Sequence, residues 1–494
     1  MTQMTSSADM VALVQTAINL PVMLISLPAG AIADMHDRRI VVLFSVLIAL
    51  SGAIGLTTFS WLGGVTPNSL LAFCFAVGCG MALMAPAWQS SVREQVPPGA
   101  LPSAVALNSI SYNIARSVGP AIGGIIVAIG GAVAAFALNA VLYLPLIVAL
   151  LLWERIAEPS RLPPERLVSA MVSGMRYVLN SPPLKVVLVR VTVTGLFSVA
   201  LLALMPLVAR NILHGAAPTY GIMLSAFGIG AVLGALNLNR LRKRMGAEAA
   251  IRFCTFTMGL SVAVVGWSRE EILTATALVV AGAMSMMTWG LFNISVQFSS
   301  PRWVVGRSLA AYQAAGWGGL AAGSWGWGHL ANVVGIESAL LISASLTIAS
   351  LCIGFWLPMP PIVAGSEDGE CLDDPAVRLP LTPASGPVVI EIEYRVLHEN
   401  ASAFHKIMLQ LQLIRQRNGA YGWSVSCDIA DPELWTERFH CLTWLDFIRL
   451  RNRPTRHERA IEQRAFDFHV GPAAAKVRRM LEHPFESVKW TEDI

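Results

Sequence analysis

Long apolar runs separated by short polar connections occupy the chain from about residue 10 to residue 357. Runs of about 20 residues are long enough to cross a ~30 Å hydrocarbon core as α-helices, and a backbone surrounded by lipid must bond its own polar groups. The pattern therefore predicts eleven transmembrane helices. They lie at 11–33, 40–60, 68–91, 104–129, 132–153, 184–209, 219–240, 249–267, 271–298, 307–333 and 336–357.

Beyond residue 358 the chain becomes charged and shows the periods of a soluble domain. Residues 358–387 are rich in proline, glycine and acids, which indicates a linker. The segment 388–396 alternates apolar and charged residues, with Ile390 and Tyr394 on the apolar face, as in a half-buried strand. The remainder predicts a helix at 401–414, strands at 421–429 and 435–444, a helix at 445–468 and a strand at 475–481.

The order of these later elements, βαββαβ, is that of a ferredoxin-like domain. The expected fold class is therefore an all-α polytopic membrane bundle followed by a C-terminal α+β ferredoxin-like domain. The expected divisions are an N-terminal transmembrane half at 1–153, a central cytoplasmic loop at 154–183, a C-terminal transmembrane half at 184–357, a linker at 358–387 and a soluble domain at 388–494.

Composition agrees with this division and disfavours several classes of function. Apolar residues make up 55% of the chain and charged residues 13%, about half the charged share of a soluble protein, and mean hydropathy is +0.59. The seven cysteines show no metal-binding spacing, and no phosphate-binding loop of the GxxxxGKS or GxxxxGKT type is present. We expect no metal, no cofactor, no catalytic residue and no nucleic-acid partner. No basic segment opens the chain, so a cleaved signal peptide is not expected.

Basic residues are concentrated in one set of connections. Sixteen lysines and arginines, from Arg38 to Arg307, fall on one side of the predicted bundle, and only Arg210 and Arg269 fall on the other. Cytoplasmic connections carry the excess of basic residues in membrane proteins. We therefore expect a multi-pass protein of the bacterial plasma membrane, surrounded by the lipid bilayer, with its C-terminal domain in the cytoplasm.

An internal repeat relates the two predicted halves. Shifting the chain by 204 residues places six of the thirteen glycines of residues 1–153 on other glycines, whereas fewer than about two coincidences are expected by chance. The pairs are Gly30/Gly234, Gly55/Gly259, Gly78/Gly282, Gly119/Gly323, Gly124/Gly328 and Gly131/Gly335. The helix at 184–209 then has its counterpart at about −20 to 5. We therefore expect six helices in each half of the full architecture, with either roughly 20 further apolar residues encoded upstream of Met1 or a truncated copy of that architecture.

The connection between the first two predicted helices, residues 30–40, reads GAIADMHDRRI. It resembles the cytoplasmic signature of the major facilitator superfamily, roughly G-x-L-A-D-R-x-G-R-R, with Met35 and Asp37 in place of the first basic residue and the second glycine. The resemblance implies a charge network at the cytoplasmic edge, in which the conserved acid of the signature pairs with a basic residue at the end of the family's fourth helix. The residues of this network here are Asp34, Asp37, Arg38, Arg39 and Arg93.

A second motif lies in the helix at 104–129, where residues 115–124 read ARSVGPAIGG. It resembles the GPxxGG signature in the fifth helix of drug and metabolite antiporters of the same superfamily, with Ala115 in place of the leading glycine. Pro120 cannot donate the backbone hydrogen bond that the carbonyl of Arg116 would accept, and glycines let another helix approach. The resemblance implies a pliable, closely packed helix suited to alternating access. Its packing residues are Gly119, Pro120, Gly123 and Gly124.

Arg116 is the candidate for a charged residue in the transport path. It lies about twelve residues into its predicted helix, where a charge is costly and usually faces a polar cavity. The alternative is a structural arginine that binds backbone carbonyls. Each carboxylate before residue 358 falls in a connection or at a helix end, so no mid-membrane proton carrier is visible. Further polar candidates for the path are Gln15, Asn19, Asn108, Asn113, Gln297 and Gln313.

The tryptophans of the segment 316–328 have two open interpretations. Trp317, Trp325 and Trp327 form either an aromatic wall of the substrate path or ordinary packing and interfacial contacts.

Nearly the whole chain resembles the transmembrane-secretion-effector branch of the superfamily, which is related to bacterial siderophore exporters. Some members carry such a tail, with a motif like the residues 417–423, RNGAYGW. The tail also resembles small dimeric antibiotic-biosynthesis monooxygenase domains, which implies a homodimer through this domain and names Trp423, His405, His440 and Trp444 as pocket candidates.

The resemblance implies a secondary exporter of a small organic molecule (a drug, siderophore or other secondary metabolite) by alternating access, with proton antiport as the expected coupling. Two alternatives stay open. One is an exporter fused to a cargo-sensing or monooxygenase-like domain, and the other is a membrane scaffold that does not transport.

Overall fold

The computed structural model describes residues 8–95, 101–153, 167–215, 217–301, 303–359, 375 and 377–482. These residues form two compact units. The first unit contains the described residues up to 167, together with 186–296 and 309–361. The second contains 168–185, 297–308 and the described residues from 362 onward.

The first unit is helical. Its helices, with the short α5 that falls mainly in the second unit, are α1 (Ala8–Met35), α2 (Arg38–Trp61), α3 (Pro67–Gln95), α4 (Leu101–Leu152), α5 (Leu167–Leu179), α6 (Pro182–Ser198), α7 (Ala200–Leu207), α8 (Ala217–Trp267), α9 (Glu271–Phe298), α10 (Val305–Val334), α11 (Ile336–Ala349) and α12 (Ile353–Trp356). A π-helical turn, Val208–Ile212, extends α7, and a 3-10 turn, Ser350–Cys352, joins α11 to α12.

Nine segments of the described chain are long and apolar enough to cross a membrane, and they coincide with nine of the eleven predicted helices. The other two predicted helices, 104–129 and 307–333, are also helical, within α4 and α10. The segment in α10 is rich in glycine and carries Gln313 and His329, which lower its hydropathy. The prediction of a polytopic helical bundle is confirmed.

Of two predicted interruptions between helices, the one at 130–131 is as short as expected and the one at 241–248 is much shorter. Both α4 and α8 continue through two predicted spans and break only at a glycine with positive φ, Gly131 (φ 74°) and Gly246 (φ 75°). The prediction of a connection at 241–248 was therefore wrong for all but the turn at Gly246. The sequence LRKRMGAE there consists mainly of good helix formers, so the helix extends into it from both sides.

The repeat of 204 residues is visible in the backbone. Gly131 and Gly335, a predicted pair, both take positive φ (74° and 86°) with extended ψ at the start of a helix. This conformation strains residues that carry a Cβ, which explains glycine at both positions. A second pair acts in packing: a Cβ on Gly78 would lie 2.7 Å from the carbonyl oxygen of Ile18, and a Cβ on Gly282 would lie 2.0 Å from that of Phe227. Equivalent helices thus touch through their backbones in both halves.

The second unit contains a four-stranded antiparallel sheet with helices packed on it. Its elements are β1 (Val388–Arg395), α13 (Ala401–Asn418), β2 (Tyr421–Cys427), β3 (Leu434–Cys441), α14 (Trp444–Asn452), α15 (Arg456–Phe466) and β4 (Lys476–Leu481). The strand order is β2-β3-β1-β4, and β1 pairs with β3 and β4, so that Ile390 lies opposite both Phe439 and Arg479. Tyr394, Phe404 and Phe439 are buried between the sheet and the helices. The alternation predicted for β1 is confirmed.

The prediction of one continuous helix at 445–468 was wrong. The segment forms two helices, α14 and α15, because Pro454 cannot continue a helix and Thr455 starts a new one. The Thr455 side chain accepts a hydrogen bond from the backbone N–H of Glu458, and the Glu458 carboxylate accepts one from the N–H of Thr455. This reciprocal cap satisfies two donors that a helix start would otherwise leave unpaired.

Candidate functional site

The turn between α1 and α2 contains the predicted charge signature. Asp37 caps α2, because its carboxylate accepts a hydrogen bond (2.9 Å) from the backbone N–H of Arg39. An aspartate in place of the second glycine of the signature therefore has a structural role at this helix start. The side chains of Asp34 and Arg93 lie outside the described residues, so their pairing remains a prediction.

An arginine near the start of a helix binds the end of another helix in each half. Arg39 donates to the carbonyl of Leu151 at the end of α4 (2.8 Å), and Arg252 donates to the carbonyl of Gly354 in α12 (3.0 Å). The offset of 204 residues places Leu151 beside Gly354 but Arg39 on Lys243, so the two contacts use corresponding helix ends and different arginines. Each places a positive charge at a helix C-terminus, where unpaired carbonyls and the helix dipole favour it.

In the second half a carboxylate joins this contact. Glu248 forms ion pairs with Arg190 and, at 2.7 Å, with Arg252, and it accepts a hydrogen bond (2.9 Å) from the backbone N–H of Met359. Arg190, whose side chain is only 7% exposed, also donates to the carbonyl of Leu357. Sequence reasoning counted Glu248 only as a helix-end acid. Its spacing of four residues from Arg252 was the signal that this interpretation missed.

The glycines of α10 pack against the backbone of α6. A Cβ on Gly319 would lie 2.4 Å from the carbonyl oxygen of Thr192, and a Cβ on Gly323 would lie 2.3 Å from that of Leu196. Gly119, the repeat partner of Gly323, and Gly123 belong to the second motif, yet neither Cβ position has a neighbouring atom of the described residues within 4 Å. Pro120 and Gly124 lie outside the residues whose side chains are described.

Helices α1 and α10 meet along a seam that joins the first half to the second. Thr16 of α1 donates a hydrogen bond (3.0 Å) to the carbonyl of Ala321 in α10, and the sulfur of Met23 lies 2.9 Å from where a Cβ on Gly318 would stand. The path candidates Gln15 and Asn19 are on α1, half-buried and buried, and Gln313 is half-buried on α10. Three path candidates thus lie on the two helices that form this seam.

The other path candidates are placed less centrally or are not described. Gln297 is exposed in the last turn of α9. The side chains of Asn108, Asn113 and Arg116 lie outside the described residues.

The tryptophans of α10 divide between the two interpretations. Trp327 is buried and donates to the carbonyl of Leu196 (2.7 Å), which is a packing role. Trp325 is 58% exposed, as an interfacial side chain would be, and Trp317 is half-buried.

Comparison with known proteins decides the family. The family model described as transmembrane secretion effector, within the major facilitator superfamily, matches residues 1–486 of this chain. The chain belongs to the transmembrane secretion effector family. It is therefore a multi-pass membrane transporter.

Curated relatives of this secretion effector are named as efflux pumps and exporters. The multidrug efflux pump Tap of Mycolicibacterium fortuitum is 26% identical over 71% of this chain and 87% of its own length. The enterobactin exporter EntS of Shigella flexneri is 25% identical over 68% of this chain and 82% of its own length. These relatives are named as transporters rather than enzymes.

Solved transporters share the fold. The nucleoside transporter NupG has a TM-score of 0.58 at 12% identity, covering 71% of this chain and 91% of its own. A bacterial homolog of the human lysosomal transporter Spinster has a TM-score of 0.54 at 14% identity, covering 72% and 88%. At such identities the likeness shows the fold alone.

The tail motif of the secretion effector, residues 417–423, holds the second unit together. The Arg417 guanidinium pairs with Glu458 and lies 5.9 Å from the ring centre of Tyr177 in α5. The carbonyl of Gly419 accepts a hydrogen bond (3.1 Å) from Arg176. Arg453 stacks at 3.9 Å over Trp303, which lies in the connection between α9 and α10. Within the second unit, the motif therefore attaches the sheet domain to α5, and Arg453 attaches it to the residues between α9 and α10.

A buried charge cluster lies beneath the motif. Glu437 is fully buried and accepts hydrogen bonds from Tyr394, Arg415 and Trp423. Arg415 also pairs with Glu462 at 2.8 Å. Burial alone would raise the pKa of Glu462, but the charge and hydrogen bond of Arg415 lower it below its ordinary value. Trp423 thus has a structural partner in the domain core.

The other pocket candidates of the tail are dispersed. His405 is exposed, and His440 packs on Tyr421 with ring centres 5.4 Å apart. Trp444 lines an open groove of about 650 Å³ together with Leu379 and Arg479. Among the described residues no group of histidine, cysteine or acidic side chains is placed to hold a metal ion. The positions of these described side chains do not indicate a particular reaction for the tail.

We expect Glu248→Gln to destabilise the transporter strongly, because Arg190 then keeps its buried charge without the carboxylate. Breaking a buried pair costs about 3–5 kcal/mol, and the partial exposure of Glu248 reduces the expectation to about 2–4 kcal/mol. The measurement is the unfolding temperature of the purified protein in detergent. The matched control is Glu337→Gln, which removes an exposed pair with Arg269 at 3.6 Å and should cost at most about 1 kcal/mol. Equal effects of the two variants would contradict this assignment.

Proposed function

We propose that this secretion effector is a secondary active exporter that moves a small organic molecule across the bacterial plasma membrane by alternating access. The observation that carries the proposal is the family match over residues 1–486, whose curated relatives include multidrug and siderophore exporters. The two repeated halves and the seam between α1 and α10 fit this reading, because alternating access needs two bodies with a contact that opens.

Proton antiport is the proposed coupling. No carboxylate of the described residues lies in the middle of a predicted span, so the carrier is not a mid-membrane acid of that part of the chain. Arg116 is proposed to line the transport path. Asp34 and Arg93 are proposed to pair at the cytoplasmic edge, within a network that includes Asp37, Arg38 and Arg39.

The tail is proposed to be a ferredoxin-like domain in the cytoplasm. Its element order and its antiparallel strand order β2-β3-β1-β4 support the fold, and the basic residues of the predicted cytoplasmic connections support the side. A homodimer through this domain is the proposed self-association. Because the motif residues Arg417 and Gly419 contact α5, we favour a domain that holds this helix in position over a monooxygenase.

The sidedness has a direct test. Protease added to sealed inside-out membrane vesicles should remove the sheet domain, whereas the same protease added to intact spheroplasts should leave it whole. A blot against a C-terminal tag follows the cleavage. Cleavage in spheroplasts alone would place the domain on the outer side and overturn the proposal.

Arg116 provides the test of the transport function. Cells that carry the wild-type chain should export ethidium or an iron-free catecholate siderophore faster than cells with an empty vector. Arg116→Ala should abolish this difference while membrane insertion is retained, because a charge in a polar cavity is lost. Arg116→Lys should restore it only in part, since lysine lacks the planar fork of five donors.

The matched control for Arg116→Ala is Arg269→Ala. Arg269 is an exposed arginine on the side of the bundle opposite the basic connections. This control variant should leave export unchanged. Normal export by Arg116→Ala would make this arginine structural. If the wild-type chain protects cells from no member of a broad panel of drugs, dyes and siderophores, the exporter proposal fails.

A further inference from the structure

Two titratable side chains from opposite halves meet at one end of the α1–α10 seam. Asp9 lies in the first turn of α1, and one of its carboxylate oxygens is 3.6 Å from Nδ1 of His329 near the end of α10. Helix α1 reaches the basic turn Arg38-Arg39 only at its other end, and α10 starts beside Arg307. The pair is therefore at the end of the helices opposite the basic connections.

This pair continues the seam in regular steps. Asp9, Thr16 and Met23 are seven residues apart, so they share one face of α1. Thr16 and Met23 contact Ala321 and Gly318 of α10, and Asp9 contacts His329. The Asp9–His329 pair is thus the outermost of the three contacts, and it is the one that depends on charge.

The two side chains differ in their access to water. The His329 side chain is 67% exposed and its ring stacks on Trp325, with ring centres 6.5 Å apart and planes 16° apart. Asp9 is only 30% exposed, and its second carboxylate oxygen is buried and has no hydrogen-bond partner among the described residues. Protons from the adjoining solution reach the imidazole directly, and among the described residues this imidazole is the ion-pair partner of the carboxylate.

Among the described residues the ion pair of Asp9 is with His329, although other charges lie near this end of the bundle. Helix α1 also packs on α3 and α7. The first turn of α3 is free of acids, and the chain after α7 carries Arg210 and His214. Arg269 and Glu337 pair with each other within the second half at this same end of the bundle. His329 is the group whose ion pair with Asp9 joins the two halves.

We propose that Asp9 and His329 form a proton-operated latch that holds the two halves together at this end of the seam. A proton taken by the imidazole from the adjoining solution creates an imidazolium that attracts the Asp9 carboxylate. When the proton returns to that solution, the imidazole becomes neutral. Hydration of the Asp9 carboxylate is then more favourable than its burial in the seam. Histidine is the type of side chain whose charge commonly changes between about pH 5 and 8.

The latch rests on the proposed alternating access, because a contact between halves matters only if the halves separate. In such an exporter, acid on the outer side favours the state closed to that side. The direction of the effect is therefore fixed: protonation closes the seam and deprotonation loosens it.

The test measures opening of the seam without any substrate. In the full chain with its seven native cysteines replaced, Thr16→Cys reports the seam through its labelling rate with a membrane-impermeant maleimide in proteoliposomes. Thiolate fraction changes with pH, so each rate is divided by that of a reference variant in the connection between α2 and α3, the exposed Thr66→Cys. The normalised rate should rise roughly two- to fivefold from pH 5.5 to pH 8, the range that a partly exposed ion pair permits.

Matched variants decide the outcome. His329→Gln and Asp9→Asn should each remove the pH dependence and leave the rate high, and His329→Lys should keep the rate low at every pH. Glu337→Gln, which breaks a pair of the same length that does not join the halves, should behave as wild type. A pH dependence that persists in His329→Gln and Asp9→Asn, or a flat wild-type profile, would overturn the latch. Since no substrate is present, absence of export would challenge the proposed function and leave this result standing.

Discussion

Helices in a bilayer gain little by burying apolar surface against each other, because the lipid tails around them are equally apolar. Their association depends on how closely two backbones can approach, and much of this transporter follows from that constraint. Gly78 and Gly282 bring equivalent helices into backbone contact in the two halves, and Gly319 and Gly323 do the same for α10 on α6. At such positions even one methyl group would require the helices to move apart. The glycines that reveal the repeat are therefore packing residues.

The contact between the halves is of another kind. Along the α1–α10 seam, Thr16 binds a backbone carbonyl and Asp9 pairs with a histidine, and both bonds can be exchanged for bonds to water. Within the second half, by contrast, Glu248 fixes Arg190 and Arg252 against the end of the last helix. This difference between firm contacts within a half and exchangeable contacts between the halves suits the proposed alternating access.

Much of the fold could be predicted from the sequence, because lipid imposes simple rules on length, hydropathy and charge. The alternation of β1 and the helical spacing of α13 were equally legible. The continuity of helices is harder to predict. The basic segment at 241–248 has the charge of a connection, although its residues favour a helix and only Gly246 turns the chain. The break at Pro454 was overlooked because the apolar spacing continues on both sides of it.

Sites that depend on contacts distant in sequence were less predictable. The role of Glu248 required knowing that the end of α12 lies beside it, and the Asp9–His329 pair joins residues 320 positions apart. Trp423 was a pocket candidate on its chemistry, yet its indole is bonded to the buried Glu437. The residue type indicates which interactions a side chain can make, whereas the fold determines which partner it has.

Disulfide trapping of the α1–α10 seam during transport is the most direct test of the proposed mechanism. In a background without the seven native cysteines, Thr16→Cys and Ala321→Cys place one thiol on each helix, beside the hydrogen bond of 3.0 Å that the Thr16 side chain donates to the Ala321 backbone carbonyl. Energised inside-out vesicles with the double variant should accumulate ethidium when reduced, lose this uptake on oxidation and regain it on reduction, while each single variant should be insensitive to oxidant. Transport at an undiminished rate by the fully crosslinked protein would contradict the claim that the α1–α10 seam opens in each cycle.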